Sequence, residues 1–162
     1  MFPMDADLHG KLGLAYENIS DYEGAIEQFD KAIHYAPQNV QGHYSLSRCY
    51  ARAGKIEKAR EWLRQAVLMD PNNSVELLKI GDIMYQQKEY ERALVIFNKA
   101  LYGNKDLGKV HYKIGVAYVA LKNYEKAKIH FQKSIAVDPD GEYSKKAMKR
   151  LAKLSSDKVQ KK

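Results

Sequence analysis

Small, apolar and aromatic residues recur along this chain in columns 34 positions apart, with polar residues between them. Gly13 falls over Ser47, Gly81 and Gly115, and Tyr16 over Tyr50, Met84 and Tyr118. Ala25 falls over Ala59, Ala93 and Ala127, Phe29 over Leu63, Phe97 and Phe131, and Ala32 over Ala66, Ala100 and Ser134. Pro37 meets Pro71, Lys105 and Pro139, and no gap is needed anywhere. A fixed period of this length marks a stack of supersecondary units, none of which can bury its apolar face alone.

Each period carries two runs with helical spacing. In the first, Leu8, Leu12, Ala15, Tyr16 and Ile19 form one stripe. After Ser20-Asp21, a second stripe follows at Ala25, Ile26, Phe29, Ala32 and Ile33. Pro37 then stops the second helix. The column of Gly13, Ser47, Gly81 and Gly115 lies inside the first helix, where glycine costs about 1 kcal/mol relative to alanine. Small residues in that costly place predict a facing helix that comes too close for a larger side chain.

This order of small, aromatic, alanine, aromatic, alanine and proline positions resembles the tetratricopeptide repeat family and its 34-residue helix-turn-helix unit. The resemblance covers 6–39, 40–73, 74–107 and 108–141, after a lead-in at 1–5. It implies an all-α, right-handed α-solenoid of four repeats. The third unit departs from the pattern, with Met84 for the aromatic and Lys105 for the proline, where Gly103-Asn104 offers another helix stop. His9, His43, Leu77 and His111 stand at the family's tryptophan position. The strict period of 34 argues against the related 35-residue repeats that read RNA base by base.

Composition agrees with one ordinary globular domain: 162 residues, 45% hydrophobic, four prolines. The start of the chain lacks a secretory signal pattern and no stretch approaches a membrane span, so a cytoplasmic location is expected. Cys49 has no partner for an internal disulfide and lies beside Tyr50 on the face predicted to pack, as a small buried hydrophobe.

The net charge of +7 changes the picture once it is located. Residues 1–144 hold 19 Lys/Arg and 19 Asp/Glu, whereas 145–162 hold 8 and 1. The repeats are neutral and the end of the chain is basic. Ala147, Met148, Leu151, Ala152 and Leu154 predict an amphipathic capping helix at 142–154, one face covering the fourth repeat, followed by a basic flexible tail at 155–162. Contact of 145–162 with nucleic acid or an anionic membrane is the alternative function this charge suggests. No basic tract is interleaved with aromatics as a single-strand binder requires. No polar cap precedes the first repeat, so Leu8 and its neighbours are candidates for self-association into a homo-oligomer.

In the resembling family the first helices of successive repeats line a concave groove that binds a segment of a partner protein. Carried over by position, the groove wall here is Lys11, Leu14, Glu17 and Asn18, then Tyr44, Ser45, Arg48 and Arg52. It continues through Leu78, Lys79, Asp82 and Tyr85 to Lys109, Tyr112, Lys113 and Val116. Tyrosine and arginine are enriched where interfaces carry their energy, and the cations among them predict an acidic, partly apolar partner peptide. Against the family's chaperone-carboxylate clamp the match is half: Lys109 and Lys113 fit, while Tyr44, Arg48 and Lys79 replace the lysine and asparagines expected.

Catalysis is not expected. His9, His43 and His111 share one repeat column, so a whole packed repeat separates each from the next, too far for common metal ligation. His34 and His130 have no cysteine or paired carboxylate near them in sequence. Gly10, Gly13 and Gly24 lie inside helices, not in a phosphate loop after a strand, and Asp138 and Asp140 flank a proline as turn residues. No metal, cofactor or catalytic constellation is expected. The chain reads as a non-catalytic scaffold for a protein or peptide partner.

Overall fold

The computed structural model describes residues 3–102 and 106–159. Every regular element among them is an α-helix. These are α1 (Pro3–Asn18), α2 (Tyr22–Tyr35), α3 (Val40–Arg52), α4 (Ile56–Met69), α5 (Ser74–Gln86), α6 (Tyr90–Ala100), α7 (Leu107–Ala120), α8 (Tyr124–Val137) and α9 (Glu142–Val159). First and second helices alternate as the period predicts. The chain divides into two compact units, residues 1–83 and 84–162, with the boundary inside α5. No described helix is long and apolar enough to cross a membrane.

The alanine and aromatic columns of the second helices become the cores of the units, whereas the column of Tyr16, Tyr50, Met84 and Tyr118 is buried only at Tyr50 and Met84. Ala25, Ala59, Ala93 and Ala127 are each fully buried, and Phe29, Leu63, Phe97 and Phe131 lie buried one turn further on. The small-residue column does what its cost predicts. A Cβ built on Gly13 would stand 2.7 Å from the Phe29 ring, and one on Gly115 would stand 2.6 Å from the Phe131 ring. In the second repeat Ser47 holds the same place and turns its size to use, its hydroxyl donating to the Ala59 carbonyl at 2.7 Å.

The turns between first and second helices share a device that apolar patterning does not reveal. Ser20, Gly54, Lys88 and Lys122, again 34 apart, have φ of 63°, 75°, 65° and 58°. In each case the next residue's N–H closes back on the first helix: Asp21 to Tyr16, Lys55 to Tyr50, Glu89 to Met84 and Asn123 to Tyr118, at 2.9–3.0 Å. A left-handed residue followed by such a bond ends a helix while satisfying its last carbonyls. Asp21 and Asn123 then cap α2 and α8 with side-chain oxygens, whereas Lys55 and Glu89 make no such bond to α4 and α6.

Two boundaries differ from the sequence expectation. Helix α6 has 11 residues where α2, α4 and α8 have 14. The Gly103-Asn104 stop expected there, and Lys105, lie outside the described residues. Helix α9 does not end at 154 but continues to Val159, because nothing in Ser155–Val159 breaks a helix and the Ser155 hydroxyl donates back to the Leu151 carbonyl at 3.0 Å. Residues 160–162 of the expected flexible tail lie outside the described residues.

Candidate functional site

The first helices carry the residues assigned to the groove wall, and the two units treat them differently. In residues 1–83, α3 is buried along its whole length from Gly42 to Ala51. Tyr44 is fully buried, and its hydroxyl donates to the Asp70 carbonyl at 2.6 Å. Burial, then the charges of Asp70 and Glu76, push its phenol up to about 12. The expectation that Tyr44 offers surface to a partner is therefore corrected. Leu78 and Ser45 are buried as well, while Arg52 and Lys79 are exposed and Asp82 is half-buried.

Arg48 is corrected for a stronger reason. The residue is 7% exposed, and its guanidinium is shared by carboxylates from the helices on either side. Nε and Nη2 donate to the two oxygens of Glu17 on α1 at 2.5 and 2.7 Å, and Nη1 donates to Glu76 on α5. Nη2 also reaches the Ser45 hydroxyl at 3.3 Å. Burial works against the charge on Arg48, but the hydrogen bond and charge of Glu17, then the charge of Glu76, outweigh it and raise its pKa. Glu76 accepts from Lys79 Nζ at 2.7 Å. Burial alone would raise the Glu76 carboxyl; the bond from Lys79 and the Arg48 charge hold it below the ordinary glutamate value. Two carboxylates and two cations cancel, so this part of the wall is neutral and tied together rather than a cationic trap.

The sequence did contain a signal for this network. Glu17 and Arg48 are 31 apart and Arg48 and Glu76 are 28 apart. Those separations are one repeat less one helical turn, and one repeat less two, so opposite charges on successive first helices come side by side.

In residues 84–162 the wall residues stay accessible. Tyr85, Lys109, Tyr112, Lys113 and Val116 are all half-buried. The Tyr112 ring lies 5.8 Å from Phe131 and 5.6 Å from Tyr143, a residue of α9 that sequence reasoning left out. Lys109 Nζ sits 5.7 Å over the Tyr143 ring and Lys146 Nζ 5.0 Å over it. Tyr85 and Tyr90 pack at 5.2 Å, and burial, then the neighbouring Tyr90, raises the Tyr85 phenol. The result is a preformed face of tyrosine rings with lysines laid against it. Tyr143 could have been found by continuing the period one step, since Tyr143 falls over Lys109 and α9 then reads as the first helix of a further unit. In that frame Lys149 stands in the glycine column, where a long side chain leaves no room for a second helix. Helix α9 instead caps the fourth repeat, with Ala147, Leu151 and Leu154 packed on Phe131 and Ala127.

In the first repeat Leu8 and Leu12 of α1 are 54% and 40% exposed and Ile19, just after it, 73%, as expected for Leu8 and its neighbours. Cys49 is buried, and burial, then the charge of Glu17, pushes its thiol up to about 12. That places it on the packing side, as expected. The histidine column is also a packing column: His9 Nδ1 meets Gln28 Oε1 at 2.8 Å and His43 rests against Trp62 at 5.3 Å between ring centres. In the fourth repeat the partner across the hairpin is a second histidine, His130, which sequence reasoning treated as isolated. Among the described residues no group of three or more His, Cys, Asp or Glu side chains is placed to hold a metal ion.

The same repeat is found by comparison with known proteins. Models described as tetratricopeptide repeat match residues 2–74, 77–102 and 108–140. The chain is 27% identical over 120 residues to anaphase-promoting complex subunit 3 of Schizosaccharomyces pombe, covering 74% of this chain and 18% of that one. It is 26% identical over 137 residues to the type IV pilus assembly protein PilF of Pseudomonas aeruginosa, covering 82% of this chain and 53% of PilF. The chain thus spans about half or less of the length of these relatives. Among solved structures, PilF from Pseudomonas aeruginosa superposes with a TM-score of 0.73 at 23% identity, covering 97% of this chain and 70% of PilF. MamA from Desulfovibrio magneticus gives 0.68 at 17% identity, covering 96% of each chain. These likenesses show a shared fold, and tetratricopeptide repeat proteins generally mediate protein–protein interaction. With its period, its buried columns and its helix pairs all in register with the three matched models, this chain belongs to the tetratricopeptide repeat family.

Proposed function

We propose that the chain is a non-catalytic interaction module that holds an acidic, partly apolar segment of a partner protein on the tyrosine–lysine face of residues 84–162. The observation that carries this reading is the packing of Tyr112 and Tyr143 with Lys109 and Lys146 laid over the Tyr143 ring. Rings held by neighbours lose little freedom on binding, and cations beside them select negative charge. Lys113 and Val116, on the same helix as Lys109 and Tyr112, extend this face. The neutral Glu17–Arg48–Glu76–Lys79 network argues against the same role for Arg48, and burial against the same role for Tyr44. Relatives named as an anaphase-promoting complex subunit and as a pilus assembly protein support membership of a larger assembly.

Pools of acidic and basic peptides of matched apolar content, titrated against the protein, test the reading. The acidic pool is expected to bind more tightly, and Lys109→Glu/Lys113→Glu to weaken it at least about tenfold, a loss of about 1.4 kcal/mol. Equal binding of both pools, or an unchanged double variant, would overturn it.

A second reading has its own observation. The exposed Leu8 and Leu12 of α1 and Ile19 just after it correspond by the period to Gly42, Leu46 and Ala53 on and just after α3, of which Gly42 and Leu46 are buried. This face is built to be covered, and self-association through it is expected to raise the mass seen in sedimentation as concentration rises. A single monomeric mass, unchanged by Leu8→Glu, would exclude it.

A further inference from the structure

The contact between the two helices of a hairpin falls on residues 19 apart, and its chemistry changes from repeat to repeat. It is His9 with Gln28 in the first repeat and His111 with His130 in the fourth. By the same spacing it is His43 with Trp62 in the second. In the first and fourth repeats the contact is made through ring nitrogen Nδ1, and in the fourth both partners present that atom, 3.3 Å apart. Their ring planes are inclined by 55° and the Tyr118 ring lies 5.6 Å from His130.

We propose that His111 and His130 form a two-histidine site for a divalent transition-metal ion, Zn²⁺, Ni²⁺ or Cu²⁺, bound through their Nδ1 atoms. The spacing is the first reason. Two imidazole nitrogens at about 2.0–2.1 Å from a tetrahedral ion stand roughly 3.3–3.4 Å apart. The second reason is rigidity: the histidines sit on α7 and α8, helices locked together by Gly115 against Phe131, so little ordering is left to be done. The third is access. Both side chains are half-buried, which leaves the remaining ligand positions to water.

Two costs oppose binding. The hydrogen bond between the two Nδ1 atoms is lost, its proton moving to Nε2 of the same ring, so no proton is released. The positive charge of Lys133 also faces both histidines. Imidazole donors nonetheless favour these ions over Mg²⁺ and Ca²⁺, which take oxygen ligands.

The first repeat supplies the control. His130→Gln copies the His9–Gln28 pair, keeping a bond across the hairpin while removing one ligand. Thermal unfolding of the untagged full chain is measured with and without ZnCl₂ or NiCl₂. With metal at about a hundred times Kd, the midpoint of the wild type is expected to rise by on the order of 5 °C. The midpoint of His130→Gln is expected to stay fixed. No rise in the wild type, or an equal rise in the variant, overturns the site. A second measurement needs no variant: substoichiometric Ni²⁺ is expected to broaden the ring signals of His111 and His130 before those of His9, His34 and His43, and any other order overturns the proposal.

Discussion

Arg48 shows how far a single residue can depart from what its position suggests. A cation on the first helix of a repeat, outside the packing columns, looks available to a ligand, yet here it is consumed by Glu17 and Glu76. A buried guanidinium that loses one partner keeps its desolvation cost without the compensating charge. Glu17→Gln is therefore expected to cost about 3 kcal/mol, read as a lower denaturant midpoint at unchanged slope. The pH dependence has a definite sign. Because the folded Glu76 carboxyl lies below its ordinary value, its contribution is fully present above about pH 4.5 and is lost as pH falls through the lowered folded value. Glu76→Gln is expected to flatten the acid limb of a stability-against-pH profile, and an unchanged limb would assign the acid sensitivity elsewhere. The charges were legible in the sequence one by one; that three of them share one buried point was legible only through their spacing.

At the scale of the element, the apolar columns predicted eight of the nine described helices and the ninth as a cap, because burial of a stripe every third or fourth residue leaves no other element open. The turns were less legible. Of the four residues with left-handed backbone, Gly54 alone is a glycine, so the column of Ser20, Gly54, Lys88 and Lys122 carries no common side chain to read. An L-residue there costs about 1–2 kcal/mol, and glycine returns part of it through the greater freedom of its unfolded chain. Lys122→Gly is thus expected to stabilise by about 0.5–1 kcal/mol, measured by chemical denaturation, and Gly54→Ala to destabilise by a similar amount. The early end of α6 and the extension of α9 are boundary effects of the same kind, set by local caps that periodicity does not weigh.

At the scale of the whole molecule, two units with their own cores lie on one chain that spans about half or less of the relatives compared. Helix α9 belongs to the core of its unit as well as to its surface: Ala147 is fully buried, and Leu151 and Leu154 pack against the Phe131 cluster. Truncation after Gly141 is expected to uncover that cluster and to cost on the order of 3–5 kcal/mol. In circular dichroism this would appear as an earlier melting transition for residues 84–141. If the basic charge of α9 alone mattered, Lys→Gln replacements at Lys145, Lys149 and Lys153 would reproduce the loss; they are expected to leave the melting temperature unchanged, because those side chains are exposed.

By itself the sequence determined the family, the period, the helix pairs and the buried columns. These follow from which residues can leave water and how closely two helices can approach, and both are local and repetitive properties. The tertiary structure decided which charged and aromatic side chains of the first helices remain accessible. It closed Arg48 into a neutral network, buried Tyr44 against the Asp70 carbonyl, kept Tyr112 open beside Tyr143, and set His130 against His111. Those outcomes depend on pairs of residues from different helices, where a shift of one turn changes the partner, and a pattern read along one chain fixes the period but not the pairing.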